Sequence, residues 1–279
     1  MPEFEIVSVG AGVKSLRSVE HGQTFHPVTG PMAEARALHV VQQRLAERVA
    51  ASAAEFVIWD VGFGAAANAI AAVEALSGCG RTIHLHSFDK TSASIEFAML
   101  HSTELGYVAV HEKLIRELLA NGSATVTGTG TRIEWELHTG DFCEQVKHTH
   151  REPPHAIFYD PYSPSANPDM WTLEHFSVLR RQLRDEAPCL WTNYTRSTAV
   201  RVTMLLAGFF VGEGCRIGEK EITTVASNQL RLIANPLDAR WLERVRRSTS
   251  GAPLRENGAA PEPISSNDWL RLRAHPQFP

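Results

Sequence analysis

Apolar and polar residues alternate along the chain with two periods, which predict strands and helices in turn. An apolar run at residues 57–61 is typical of a buried parallel strand. Gly62 and Gly64 follow it, and an Ala-rich segment with helix-forming character comes next. Glycine lets the backbone approach a ligand closely, and a helix N-terminus presents free N–H groups. A strand, a glycine turn and a helix in this order therefore predict a nucleotide or cofactor site.

The same patterns predict the other elements of the chain. Further strands are predicted at residues 5–9, 13–19, 82–88, 133–138, 156–159, 189–193, 209–211 and 220–227. Helices are predicted from the glycine turn to residue 76 and at residues 32–51, 92–105, 111–120, 173–184, 197–207 and 238–247. The Gly/Thr/Ser-rich stretch at residues 121–131 is predicted to be a loop.

Strands that alternate with helices predict an α/β fold with a mostly parallel sheet covered on both faces. We expect residues 1–52 to form an N-terminal hairpin and helix packed on the catalytic domain, residues 53–235 to form that domain, and residues 236–279 to form a C-terminal tail. In such sheets ligands bind beyond the carboxyl ends of the strands, so the candidate chemistry is expected there.

Composition narrows the class of protein. The 279 residues carry a formal net charge of -4, which argues against a strongly basic nucleic-acid clamp. The four cysteines are far apart and form no C-x-x-C pair, so neither a zinc ribbon nor a disulfide framework is indicated. The acidic start and the lack of about 20 consecutive apolar residues predict a cytoplasmic protein with no signal peptide and no membrane contact.

Three further strand ends carry residues that suit an adenosyl cofactor. Asp89 ends the second strand and can accept hydrogen bonds from the two ribose hydroxyls. Asp141 and Phe142 follow a later strand and offer adenine an acceptor and an aromatic neighbour. Asp160 ends the next strand, which places it nearest the substrate. A nicotinamide cofactor would explain the glycine turn and Asp89 equally well, so an NAD-dependent oxidoreductase stays an alternative.

Asp160-Pro161-Tyr162 resembles the Asp/Asn-Pro-Pro-Tyr/Phe loop of methyltransferases that act on amines. Such a loop aims oxygens at the amine, and its aromatic ring stacks on a base. Methyl transfer is an in-line displacement, so positioning the nucleophile supplies much of the catalysis. An alkylamine must react as the free base, and a carboxylate can orient it and take its proton. A Pro-rich surface turn is the alternative interpretation.

Longer segments resemble one methyltransferase family. The chain is similar from about residue 12 to residue 228 to the methyltransferase domain of the bacterial tRNA enzyme that completes 5-methylaminomethyl-2-thiouridine at the wobble position. The segments that carry the resemblance are EHGQTFHPVTGPMAEA (20–35), VGFGAAAN (61–68), FYDPYSPSANPDMWT (158–172), VRVTMLLAGFFV (200–211) and the GEKE turn (218–221). Ala66 stands where the family usually has glycine, and Pro161-Tyr162 replace a common Gly-Phe.

The resemblance implies a class I, Rossmann-like, S-adenosylmethionine-dependent methyltransferase with a seven-stranded sheet. Asp160 would be the catalytic residue that faces the amine. The residues expected to bind the cofactor are Glu34, Gly62, Phe63, Gly64, Asn68, Asp89, Asp141 and Phe142. The residues expected to shape the substrate entrance are Pro161, Tyr162, Asn167 and Pro168. Glu34 has a simpler interpretation as well, since a carboxylate in the first turn of a helix is favoured by the helix dipole.

The resemblance implies N-methylation of an aminomethyl group on the wobble uridine of tRNA. Another amine substrate stays open, as does a non-catalytic protein that has kept the fold. We expect no metal. His84 and His86 could bind one at i, i+2 spacing, but no third ligand is visible and packing against a helix explains them more simply. His21 and His26 are expected to be ordinary loop residues, with the substrate mouth as the alternative. Exposed arginines of the tail (240, 244, 246 and 247) are expected to form a solvated helix face rather than a phosphate site.

Overall fold

The computed structural model describes residues 3–53, 55–148, 151–217, 221–256 and 261–278. Its strands are β1 (Phe4–Ser8), β2 (Lys14–Ser18), β3 (Gln23–Thr24), β4 (Phe56–Val61), β5 (Thr82–Asp89), β6 (Ser123–Gly128), β7 (Thr131–Thr139), β8 (Ala156–Tyr159), β9 (Leu190–Asn193), β10 (Phe210–Ile217) and β11 (Glu221–Ser227). The GEKE turn of the sequence analysis lies mostly outside the described residues.

The helices follow the predicted order with some divisions. They are α1 (Pro31–Ala35), α2 (Leu45–Ala51), α3 (Ala67–Leu76), α4 (Ala93–Leu100), α5 (Ser102–Leu105), α6 (Tyr107–Val110), α7 (Glu112–Asn121), α8 (Phe142–Gln145), α9 (Leu173–Gln182), α10 (Thr198–Leu206), α11 (Ala239–Arg247) and α12 (Ser266–Arg273). No helix among the described residues is long and apolar enough to cross a membrane.

The main sheet confirms the predicted α/β class. Its strand order is β10-β11-β9-β8-β4-β5-β7-β6, and the central strands β9, β8, β4, β5 and β7 run parallel. Alternate residues of β4 enter two separate apolar cores, with Val57 and Trp59 on one face and Phe56 and Ile58 on the other. Both faces are therefore covered, as the continuous apolar run predicted.

Among the described residues the sheet has eight strands, not the seven that we expected. The extra strand is β6, which lies in the stretch predicted to be a loop and pairs antiparallel with β7 at the sheet edge. An edge strand has only one partner strand and needs few apolar residues. The Ser, Thr and Gly residues of β6 therefore give only a weak strand signal in the sequence. β10 is likewise longer than predicted, because its glycines continue the pairing with β11.

The predicted helix at residues 32–51 is interrupted. A π-helical segment covers Arg36–Val41, and Arg44 then adopts a left-handed conformation with φ 47° before α2 begins. The segment buries His39, whose Nδ1 lies 2.8 Å from Thr192 Oγ1 of β9. Polar contacts with strands far along the chain thus reshape a helix that the local spacing predicts as continuous. The predicted helix at 92–105 is also divided, into α4 and α5.

The termini pack on the main domain. β1, β2 and β3 form a small antiparallel sheet, which adds a third strand to the expected hairpin. In the tail, Trp241, Leu242, Val245 and Leu272 of α11 and α12 join one of the two large cores. Arginines 240, 244, 246 and 247 stay exposed, as expected of a solvated helix face.

Histidines on β5 differ from expectation. His84 lies 2.7 Å from Glu55 and 3.2 Å from Glu134, and His86 lies 3.6 Å from Glu136. Their ring nitrogens therefore face carboxylates, mainly of the neighbouring strand β7, rather than an apolar helix surface.

Candidate functional site

A cavity of ≈ 870 Å³ lies beyond the carboxyl ends of the parallel strands. The glycine turn after β4, Asp89, Asp141 and Asp160 all line it. These residues follow four neighbouring strands of the sheet, β4, β5, β7 and β8. The structure thus brings together the four groups that the sequence places at strand ends, in a volume typical of small-molecule sites.

The glycine turn has a shape that only glycine accommodates. Gly62 has φ 91°, and a Cβ there would lie 2.6 Å from the carbonyl oxygen of Asp160. Gly64 has φ 53°, and a Cβ there would lie 3.2 Å from the ring of Phe25. The turn continues into Ala66, which is left-handed with φ 67° where the related family usually has glycine. The backbone therefore passes close under the cavity without side chains in the way.

Asp89 ties the end of β5 to this turn. Its Oδ2 accepts a hydrogen bond from Gly64 N at 2.8 Å, and its Oδ1 accepts one from Lys90 N at 2.7 Å. Burial raises the pKa of Asp89, and these backbone donors oppose the rise. Each carboxylate oxygen has a second lone pair for a hydroxyl donor in the cavity.

Asp141 and Phe142 border the cavity at the end of β7. Asp141 is the N-cap of α8, since its Oδ1 accepts a hydrogen bond from Cys143 N at 2.8 Å. Phe142 packs against Phe88 with a ring-centroid separation of 4.9 Å. Phe63 also lines the cavity and lies edge-on to Trp135 at 6.0 Å. A carboxylate therefore lies beside apolar rings at this end of the cavity.

Asp160 is held by side chains from two other parts of the chain. Asn68 Nδ2 of α3 donates a hydrogen bond to Asp160 Oδ2 at 2.9 Å, and His26 Nε2 lies 3.6 Å from the same oxygen. Burial raises the pKa of Asp160, and the His26 ring and the Asn68 amide oppose the rise. His26 adopts a left-handed conformation with φ 47°, which costs energy for a residue with a side chain.

Two expected site residues lie elsewhere. Asn68 is only 2% exposed and supports Asp160 from behind, so it does not line the cavity as a cofactor ligand would. Its position on the first turn of α3 points the amide toward β8. Pro168 begins a 3₁₀ turn at Pro168–Trp171 outside the lining, whereas Asn167 lines the cavity.

The entrance is built jointly by the Asp160 loop and the N-terminal sheet. Tyr162 lies 4.4 Å from the ring of His21 and 5.6 Å from that of Phe25. Gln23 of β3 accepts a hydrogen bond from Ser163 N at 3.1 Å and also donates to the Ser163 hydroxyl. Pro161, which lies between Asp160 and Tyr162, also lines the cavity. Its carbonyl oxygen accepts a hydrogen bond from the Tyr194 hydroxyl at 3.1 Å. The small sheet therefore forms one wall of the cavity.

Glu34 holds the loop before α1 and also borders the cavity. Its Oε1 accepts hydrogen bonds from the backbone N–H groups of Val28, Thr29 and Gly30, at 2.7, 2.8 and 3.2 Å. It thereby closes the loop before α1, as a carboxylate near a helix N-terminus can. The side chain also lines the cavity.

Comparisons with known proteins agree with this geometry. A family model described as S-adenosyl-L-methionine-dependent methyltransferase matches residues 107–229. The "tRNA 5-methylaminomethyl-2-thiouridine biosynthesis bifunctional protein MnmC" of Pseudomonas fluorescens (strain Pf0-1) is 31% identical over 204 residues, which are 67% of this chain and 29% of that protein. The MnmC protein of Aeromonas hydrophila is 30% identical over 207 residues, which are 69% of this chain and 30% of that protein.

The chain belongs with the MnmC-like methyltransferases. This methyltransferase spans less than a third of the length of these curated relatives. A crystal structure of MNMC2 from Aquifex aeolicus has a TM-score of 0.72 and 24% identity, and the match covers 98% of this chain and 86% of that one. That likeness shows that the methyltransferase has the same fold.

Sequence reasoning missed the part that the N-terminal segment plays in this methyltransferase. His21 and His26 were expected mainly as loop residues, yet both line the cavity, and so do Gln23 and Phe25. The signal in the sequence is weak, because these residues form no spaced motif with Asp160. Only the folded chain brings His26 next to a carboxylate 134 positions later.

Proposed function

We propose that this protein is an S-adenosylmethionine-dependent N-methyltransferase that acts on the aminomethyl group of a wobble uridine in tRNA. The observation that carries the proposal is the position of Asp160. Its carboxylate shares one cavity with the glycine turn, Asp89 and Asp141. An NAD-dependent oxidoreductase would need the glycine turn and Asp89, but it gives no role to a buried carboxylate at the fourth strand end.

The cofactor half of the cavity suits an adenosyl group. The turn at Gly62 and Gly64 borders the cavity, and a Cβ at either position would crowd Asp160 or Phe25, so the turn would have to move. Asp89 would accept hydrogen bonds from the ribose hydroxyls, and Asp141 would accept one from the adenine amino group beside Phe142. Glu34 would lie near the methionine end. When bound, the cofactor supplies an electrophilic methyl group on a sulfonium.

Asp160 and His26 would prepare the amine. An alkylammonium is attracted to the Asp160 carboxylate, which Asn68 holds in place. The ammonium must lose a proton before nitrogen can attack carbon, and His26 Nε2 is 3.6 Å from the Asp160 oxygen that would hold the ammonium. His26 would accept that proton and release it to solvent. The nitrogen lone pair would then form the new N–C bond while the bond between the methyl carbon and the cofactor's sulfur breaks, and S-adenosylhomocysteine would leave.

Aromatic rings at the entrance favour a substrate with a planar base. Tyr162 and His21 are 4.4 Å apart and border the opening above Asp160. A uridine that is unpaired in the anticodon loop could stack there, since recognition of RNA commonly uses aromatic rings and splayed bases. The names of the MnmC relatives, which refer to tRNA 5-methylaminomethyl-2-thiouridine biosynthesis, support a tRNA substrate that carries an amine.

Calorimetry and methyl transfer test the proposal together. Binding of S-adenosylmethionine and of NAD is measured separately by calorimetry. Labelled methyl uptake is then followed on tRNA that carries the unmethylated aminomethyl group, with fully methylated tRNA as the control. We expect binding of S-adenosylmethionine and one methyl group per unmethylated tRNA. Binding of NAD but not of S-adenosylmethionine would overturn the enzyme class, and labelling only of small amines would overturn the tRNA substrate.

A further inference from the structure

Two histidines and a glutamate converge on one face of β5 and β7, outside the cavity. His86 of β5 is paired in register with Glu136 of β7, and His138 lies two residues further along β7. His86 Nδ1 is 3.1 Å from His138 Nε2 and 3.6 Å from Glu136 Oε2. His138 Nε2 is 3.4 Å from the same Glu136 oxygen. Three potential ligand atoms therefore form one small triangle.

The size of this triangle matches a tetrahedral metal site. Zinc bonds to imidazole nitrogen and carboxylate oxygen are about 2.0–2.1 Å long, which places neighbouring ligand atoms about 3.3–3.4 Å apart. The separations of 3.1, 3.4 and 3.6 Å lie around that value. Hydrogen bonding explains one of these separations directly, but it does not require all three atoms to meet.

We propose that His86, Glu136 and His138 bind a divalent transition-metal ion, for which Zn²⁺ is the probe, with water in the fourth position. Two imidazoles and a carboxylate form a donor set that suits zinc. The ligands lie on two paired strands, so little backbone ordering is needed on binding. Glu136 is 49% exposed, which leaves a path for the ion and room for its water.

Burial, the Arg151 guanidinium and His86 together lower the pKa of His138 to about 4. Burial also lowers the pKa of His86, although Glu136 opposes that effect.

Arg151 competes with the ion. Its Nη2 lies 2.9 Å from His138 Nδ1, so this nitrogen accepts the hydrogen bond and His138 Nε2 carries the ring proton. Metal binding through Nε2 moves the proton to Nδ1, which then repels the Arg151 donor. Arg151 must turn away, and a neutral acceptor at this position would bind the metal-bound form better.

The position of the site indicates a structural role. His138 stacks on Phe88 with centroids 5.0 Å apart, and Phe88 lines the cavity. The three ligands themselves do not line it. An ion would fix the carboxyl ends of β5 and β7, from which Asp89 and Asp141 extend, without touching the reacting groups.

His84 supplies a matched control on the same strand. Its Nε2 faces Glu55 at 2.7 Å, whereas its Nδ1 faces Glu134 at 3.2 Å. Glu55 and Glu134 contact opposite nitrogens of the His84 ring. One metal ion bound to either nitrogen therefore could not also be bound by both carboxylates. Substitution of His84 therefore removes a similar histidine from a similar environment without removing a ligand.

Zinc binding to the chelator-treated full chain tests the inference, independently of any methyltransferase activity. Calorimetry with Zn²⁺ is expected to give one site per chain. Affinity should fall about 100-fold or more in Glu136→Gln, His86→Ala and His138→Ala, and should stay within about twofold in His84→Ala. Glu136 is half exposed, so Glu136→Gln should fold normally, and circular dichroism checks each variant. Co²⁺ should give the visible absorption bands of a tetrahedral site.

The substitution Arg151→Gln is expected to raise the affinity for zinc, whereas the ligand substitutions lower it. A glutamine oxygen can accept from His138 Nδ1–H, so we expect zinc affinity to rise about tenfold. Three results would each overturn the proposed arrangement. These are a parent protein that fails to bind Zn²⁺, a Glu136→Gln variant that binds it with the same affinity as the parent, and an Arg151→Gln variant that binds it more weakly than the parent.

Discussion

The proposed cofactor half of the cavity, around the glycine turn, and its proposed substrate half, around Asp160, hold their carboxylates in different ways. In the cofactor half, Asp89 and Asp141 accept hydrogen bonds from backbone N–H groups, of Gly64 and Lys90 and of Cys143. In the substrate half, Asp160 is instead held by the side chains of Asn68 and His26. The backbone thus positions one half, whereas packing between distant segments positions the other.

From this difference we predict which substitutions should change cofactor binding and which should change turnover. Changes in the cofactor half should act on cofactor affinity, because the groups there are fixed by the turn that holds the ligand. Changes around Asp160 should act on turnover and leave cofactor affinity nearly unchanged. Four substitutions test this division, from the largest expected effect to the smallest.

Asp160→Asn should have the largest effect. The amide keeps the size of the side chain but cannot attract an ammonium or take part in proton transfer. We expect turnover to fall by about 10²–10⁴-fold, with S-adenosylmethionine affinity changed by less than about threefold. Labelled methyl uptake and calorimetry measure the two effects. Asp185→Asn, in the exposed loop before β9, is the control, and equal turnover in the two variants would remove the catalytic role of Asp160.

Gly62→Ala should have the next largest effect, on the other half. The new Cβ would lie 2.6 Å from the Asp160 carbonyl oxygen in a backbone with φ 91°, so the turn must move. We expect cofactor affinity to fall by about 100-fold, as calorimetry would show. Gly78→Ala is the control, since a Cβ there meets nothing within 4 Å. Normal affinity in Gly62→Ala would contradict the proposed close approach of the backbone.

His26→Gln should lower turnover by about tenfold and leave cofactor affinity unchanged, because Asp160 and Asn68 keep their positions while the proton acceptor is lost. The loss should shrink at higher pH, where more of the amine is already unprotonated. A pH series of turnover for the parent, His26→Gln and the surface variant His101→Gln measures this. A loss that does not change with pH would assign His26 to packing alone.

Asp141→Asn should have the smallest effect. Asparagine is as good an N-cap as aspartate, so α8 should keep its start, and the side-chain oxygen can still accept one hydrogen bond. We expect cofactor affinity to fall by about threefold with unchanged turnover at saturation, measured by calorimetry and initial rates. A large loss of turnover at saturating cofactor would place Asp141 in the substrate half.

The same division explains how much the sequence could predict. The strand, glycine turn and helix at residues 56–76 were predicted correctly, because apolar runs and turn residues are local signals. The cofactor half follows from them. The partner role of Asn68 and the position of His26 depend on contacts with Asp160 across many residues, which no local pattern reveals.

Pairing between strands limits prediction in the same way. β6 was not predicted because it is a largely polar edge strand, which is held by its pairing with β7 and not by an apolar pattern of its own. His86 lacked a visible third ligand because Glu136 and His138 lie about fifty positions later and meet it through the β5–β7 register. Resemblance to a family supplied the cofactor and the substrate class, which the residues alone left open between two kinds of enzyme.

The most direct test of the shared cavity is a crystal structure with bound S-adenosylhomocysteine. The account predicts ribose hydroxyls at Asp89, adenine beside Asp141 and Phe142, and the sulfur facing Asp160 across a gap that fits one amine. A nucleoside bound elsewhere, or a sulfur turned away from Asp160, would contradict it.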